Sequence, residues 1–134
     1  KNYPRWGATA ENAWCSIAHR DFVAGGFYWA GFDYKGEETP YKWPNVNSHF
    51  GVIDIAGFTK DNFFYHQSVF ISTQEKPILH ILPHWNWDQL PCLNVSKCRY
   101  DKEGRRLIDV WAYSSGASVA LSLNNRSLGR LNIT

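Results

Sequence analysis

The sequence predicts two successive units, an α/β segment followed by an all-β antiparallel one, and three observations carry that expectation. Apolar residues at Ala10, Ala13, Trp14, Ile17 and Ala18 recur with the spacing of one helix face. An almost unbroken apolar run, Phe22 to Phe32, follows directly and reads as a strand buried on both faces. Beyond Pro77 the apolar residues alternate with period two, at Ile108, Val110 and Ala112 and again at Val119, Leu121 and Leu123.

Taken in order, the first helix is expected from about Thr9 to Arg20. The buried strand then empties into a long irregular loop, Asp33 to Ser48, marked by Gly36, Pro40 and Pro44. Loops of this length often carry function. After the short apolar segment Gly51 to Ala56, Thr59 is a candidate N-cap. Asp61 in the first turn complements the helix dipole of a second helix, from about Lys60 to Phe70. Gln74, Glu75 and Lys76, between Thr73 and Pro77, read as a polar linker dividing residues 1–73 from residues 77–134. Asn124-Asn125 predicts a tight hairpin turn, because Asn tolerates positive φ. Neither unit reads as complete. One βα unit cannot cover both faces of a buried strand, and a few sandwich strands leave open edges.

The totals exclude several classes. A length of 134 residues with a net charge of +2, its Lys and Arg scattered, gives no basic face for a nucleic-acid backbone. No apolar run reaches the roughly 18 to 20 residues that a membrane span requires, and Lys1 to Gly7 has no signal-peptide core. Cys15, Cys92 and Cys98 are too few and too irregular for a zinc site. Cys15 reads as a small core residue, while pairing of Cys92 with Cys98 stays open. The five histidines have no metal-ligand spacing, and neither a G-x-S-x-G elbow nor a phosphate-binding glycine loop is present. No cofactor and no metal are therefore expected.

The unusual quantity is an aromatic content of 16%, with seven Trp, since aromatic faces pack cores and also stack on the C–H faces of sugar rings. The segment Trp29 to Glu37 places an aromatic, a carboxylate and glycines at the exit of the buried strand, the end at which βα barrels build their active sites. Trp29 offers a ring face to a sugar, Asp33 can accept from its hydroxyls, and His49 lies in the neighbouring loop beside Phe50-Gly51. The structural alternatives are a core Trp and a turn-capping Asp. Asp33 with Glu37 or Glu38 as a hydrolytic pair would need a separation of about 5 to 5.5 Å for retention or roughly 6.5 to 9.5 Å for inversion. Sequence does not supply that distance.

The run Arg20-Asp21-Phe22-Val23-Ala24-Gly25-Gly26-Phe27-Tyr28-Trp29-Ala30-Gly31-Phe32-Asp33-Tyr34-Lys35-Gly36-Glu37, with Thr39-Pro40-Tyr41, Trp43-Pro44 and Ser48-His49-Phe50-Gly51, resembles the last barrel strand and following loop of glycoside hydrolase family 2 β-galactosidases. Gly57-Phe58-Thr59-Lys60-Asp61, Tyr65-His66-Gln67-Ser68, the stretch Leu79 to Trp87, and Leu123 to Gly129 are similar to the same family in the same order. The resemblance implies the final strand and helices of a (β/α)8 barrel followed by part of an immunoglobulin-like antiparallel β-sandwich. It also implies that Trp29 lines the sugar subsite and that Asp33 belongs to the same motif. The family's two catalytic glutamates would lie upstream, since Lys1 to Ala18 holds only Glu11, inside a helix pattern. A retaining parent enzyme would then hydrolyse terminal β-galactosides, and this segment would contribute a wall without the chemistry. Ala30 and Asn125 depart from the family's usual Thr and Gly. The Gly-Glu-x-Thr-Pro-Tyr and Trp-Pro loop favours a galactoside among the sugars the family hydrolyses.

Two other readings make different demands. A carbohydrate-binding or interaction module without catalysis would use Trp43, Trp85 and Trp87 as an aromatic platform and should be self-contained. An unfinished barrel would instead expose apolar faces and self-associate.

Overall fold

A computed structural model of the chain describes residues 7–71, 76–82, 99–107 and 109–133. Among the described residues two short helices precede six strands, which pair there as three two-stranded antiparallel ribbons. Ile108, Trp85, Trp87, the Cys92 and Cys98 pair, and most of the polar linker fall outside the described residues.

Helix α1, Ala10–Ala18, starts where the sequence places it, because Thr9 is an extended N-cap whose Oγ1 accepts the Asn12 N–H at 3.3 Å. Helix α2, Asp61–Phe70, begins one residue later than expected. Lys60 takes the N-cap position without a side-chain bond, and Thr59 is drawn instead into a bridge with Ile53. The backbone ladder of the preceding turn thus outcompetes the hydroxyl cap.

The predicted strand from Phe22 to Phe32 does not form as a strand in this chain. Its end makes a single parallel bridge, Phe32 to Ile53, while Phe22 is 87% exposed and Phe27 wholly so. The physical reason lies in the pattern that predicted it. A strand buried on both faces requires neighbours in the sheet and a layer on each side, and the described residues supply only the one neighbouring segment. Cys15, expected in the core, is likewise exposed. Among the described residues Ala10 alone is a buried apolar side chain.

What packing there is centres on α2. Trp14 of α1 meets Phe70 edge-on at 5.2 Å, and Tyr28 meets His66 edge-on at 4.7 Å. On the other side lie strands β1, Leu79–Ile81, and β4, Ala112–Ser114, paired in the register His80 to Tyr113. His80 stacks on Phe64 at 3.9 Å and its Nε2 lies 2.9 Å from the Asp61 carboxylate. Tyr113 packs edge-on against Tyr65 at 5.3 Å and donates to Glu11 at 3.4 Å.

Strands β2, Arg99–Tyr100, and β3, Arg106–Leu107, flank a turn organised by Asp101, which accepts the Glu103 and Arg105 amides and the Arg105 guanidinium. Strands β5, Ser118–Leu123, and β6, Arg126–Asn132, form the expected hairpin. Asn124 and Asn125 both take positive φ, 49° and 63°, as a two-residue turn between right-twisted strands demands.

The Tyr113 hydroxyl is pushed from the ordinary 10.0 to about 12, first by burial and then by the Glu11 charge. Its neutral form is therefore favoured in the fold. That stability is fully present below pH 10 and is lost as the pH rises toward 12. Urea midpoints of the full chain should fall across that window, and Tyr113→Phe should make the fall shallower. An identical alkaline slope in the variant would show that Tyr113 does not contribute.

Candidate functional site

The segment that leaves the apolar run is organised by one carboxylate. Ala30 N–H donates to the Phe50 carbonyl and Val52 N–H to that of Ala30, both at 3.1 Å, and Asp33 N–H donates to the Ile53 carbonyl at 2.9 Å. This parallel pairing carries the Asp33 side chain over the loop, where Oδ1 accepts the Gly51 N–H at 2.8 Å and the Lys60 ammonium at 2.7 Å. The Asp33 side chain is only 7% exposed. A carboxylate so enclosed is stabilised by both donors.

Gly51 is obligatory at this crossing. An added Cβ would stand 2.2 Å from the Asp33 nitrogen and 2.6 Å from the Ile53 oxygen, and these are backbone atoms that cannot swing aside. Lys60 also donates to the His49 carbonyl at 3.4 Å, so one ammonium joins the start of α2 to both sides of the loop.

The long loop is irregular, as expected, but firmly pinned. Ser48, fully buried, accepts the Tyr34 N–H on its Oγ at 3.0 Å and returns its own N–H to the Tyr34 carbonyl at 2.8 Å. Gly36 N–H reaches the Val46 carbonyl at 2.8 Å. The peptide bonds Thr39–Pro40 and Trp43–Pro44 within the loop are cis, as is Trp29–Ala30 at its entry.

Of the three residues singled out in the sequence, Trp29 lies at the surface, 71% exposed. Its indole N–H donates to the Tyr34 hydroxyl at 3.2 Å, and the Tyr34 hydroxyl donates to the Glu37 carboxylate. That second bond, with a smaller part from burial, raises the Tyr34 pKa. His49 bonds through Nε2 to Asn45 Oδ1 at 3.0 Å and meets the Tyr41 ring edge-on at 5.1 Å. Asp33 and His49 share a pocket of about 290 Å³ with Asn47, Asp54 and Lys60, whereas Trp29 stands outside its lining. The buried Asn47 Oδ1 in that lining has no hydrogen-bond partner.

The carboxylates considered as a hydrolytic pair are separately engaged. Asp33 serves Lys60 and Gly51, and Glu37 serves Tyr34. Sequence reasoning missed Lys60 and Tyr34. The signal for Lys60 was available in principle, because an Asp at the end of an apolar run needs a cation, yet nothing in the spacing says which Lys supplies it. Among the described residues no cluster of His, Cys, Asp or Glu could hold a metal ion, and no helix is long and apolar enough to cross a membrane.

No family model matches the chain. It is 39% identical over 125 residues to β-galactosidase BoGH2A of Bacteroides ovatus, an alignment that covers 92% of this chain and 13% of the relative. It is 34% identical over 124 residues to a Formosa agariphila protein assigned provisionally as a β-glucuronidase, covering 91% of this chain and 10% of that one. In three dimensions it is similar to the crystal structure of a β-glycosidase from Bacteroides vulgatus, with a TM-score of 0.72 and 35% identity over 94% of this chain and 14% of that one. In both sequence and fold the chain is thus similar to a part of β-glycosidases. The chain spans about an eighth of the length of the β-galactosidase it matches.

The Asp33 knot predicts a hierarchy of losses that urea denaturation can read. Gly51→Ala should destabilise by roughly 1 to 3 kcal/mol or more through backbone overpacking. Lys60→Ala leaves the Asp33 carboxylate with one donor fewer, and should cost about 1 to 3 kcal/mol because Lys60 is itself part-exposed. A Gly51→Ala protein with an unchanged midpoint would contradict the close approach.

Proposed function

We propose that this chain forms part of the sugar-binding wall of a retaining β-galactosidase, and that it does not hydrolyse glycosides alone. Residues 1–73 would belong to the closing strand and helices of the (β/α)8 barrel, and residues 77–134 to the opening strands of an immunoglobulin-like sandwich. The relatives' names support the glycosidase reading, and the apolar side chains left facing water between Phe22 and Phe32 support a larger setting.

The observation that carries the assignment is Trp29, a large aromatic face fixed by a hydrogen bond to Tyr34 at the entry of the pinned loop. An aromatic face at the end of an apolar run suits a ring with C–H bonds on one side, and a pyranose presents such a face. His49 and Asp33 would border the same subsite, with Asp33 acting through the loop it secures. Two glutamates from the preceding region of the longer protein would supply the chemistry. One attacks the anomeric carbon to form a glycosyl-enzyme, and the other protonates the leaving oxygen and then activates water.

Trp29→Ala, placed in a protein of the relatives' length that carries this segment, tests the assignment. The kcat/KM for a chromogenic β-galactoside should fall about tenfold or more, equivalent to roughly 1.4 kcal/mol of transition-state stabilisation. Unchanged kcat/KM would remove Trp29 from the subsite. A β-glucuronide assayed beside it reads the sugar class, and turnover of the glucuronide in preference would contradict the galactoside.

A further inference from the structure

We propose that Tyr34 and Glu37 are positioning residues that fix the Trp29 indole for sugar stacking, acting through a directed chain of hydrogen bonds from Trp29 to Tyr34 to Glu37. The proposal rests on the assignment of Trp29 to the sugar subsite and deepens it.

Trp29 needs such a device. A stacking platform is effective only when its face is held before the ligand arrives, and packing alone leaves an indole at a loop entry free to turn about its side-chain bonds. The indole N–H has one direction in which to donate, and it meets the Tyr34 hydroxyl at 3.2 Å with the two rings nearly perpendicular, at 85°. The hydroxyl proton is committed in turn to the Glu37 carboxylate, which leaves the oxygen as the acceptor for the indole. Each bond polarises the next, so the pair holds the ring better than either alone.

Both supports are themselves anchored. Tyr34 has its N–H and its carbonyl bonded to Ser48, the fully buried polar residue of the loop. Glu37 follows Gly36 and has φ of +40°, a left-handed conformation that a residue with a Cβ adopts only at a cost. Gly at position 37 would accept this backbone more readily but would end the hydrogen-bond chain. Position 37 thus carries a side chain where the backbone alone would favour glycine, and the partner of that side chain is Tyr34.

The experiment measures kcat and KM for p-nitrophenyl β-galactoside in a protein of the relatives' length. It compares Tyr34→Phe, Glu37→Ala and Glu37→Gln, each alone and with Trp29→Ala. Tyr34→Phe and Glu37→Ala should each lower kcat/KM about tenfold, while Glu37→Gln, which keeps an acceptor oxygen, should restore most of the activity. In the Trp29→Ala background the same changes should have no further effect, because the residues act only through the indole. Losses that multiply in that background would overturn the proposal and assign a general structural role. Full activity in Tyr34→Phe and Glu37→Ala, with Trp29→Ala impaired, would overturn it while leaving Trp29 in the subsite. Full activity in Trp29→Ala would remove the subsite reading and the proposal with it. Should Tyr34→Phe fail to fold, the exposed Glu37 pair of variants decides the same question.

Discussion

The buried Asp33 carboxylate is the interaction on which the described site depends. Two donors distant from it in the chain, the Gly51 amide 18 residues on and the Lys60 ammonium 27 residues on, converge on its Oδ1. Only a residue without Cβ can bring the loop close enough to do so. The parallel backbone pairing of residues 30–33 with 50–53, the start of α2 and the return of the long loop all meet at this point. Removing a charge partner from so enclosed a carboxylate strands it away from water, which is why the knot has to form as a unit. The Tyr34 side of the loop is secured separately, through Ser48. Trp29 is thereby presented from a frame held at two places.

Much of this was legible in the sequence, and the parts that were not share a cause. Both helices, the irregular loop and the Asn124-Asn125 hairpin follow from local rules, namely period, capping and turn chemistry, and they appear within a residue or two of where those rules put them. The strand from Phe22 to Phe32 is the instructive case. Its composition is that of a segment buried on both faces, yet burial is a property of neighbours, and the described residues provide too few. The same reasoning explains Cys15, whose place in an apolar pattern suggested a core that is not assembled around it.

The candidate site shows a similar division. Trp29, Asp33 and His49 could be named because they occur in a motif, but their separate roles could not. Asp33 turns inward to Lys60, His49 turns to Asn45, and Trp29 remains exposed on a hydrogen-bonded support. Long-range pairs such as Asp33 with Lys60 have no signature in one-dimensional spacing. Glu37, considered first as a candidate for acid–base work, is instead occupied by a tyrosine hydroxyl, a role that only geometry reveals. The relatives extend the chain's context rather than its chemistry, since they match nearly all of it while it spans little of them.

A segment that shapes a sugar site while the reacting carboxylates come from elsewhere in a longer protein should be inert by itself. Hydrolysis of a chromogenic β-galactoside by the purified 134-residue chain, beside a protein extended to the length of its relatives, tests it most directly. Turnover is expected from the extended protein alone. Turnover by the 134-residue chain would place the reacting carboxylates among Asp33, Glu37, Glu38 and their neighbours, and would contradict the claim.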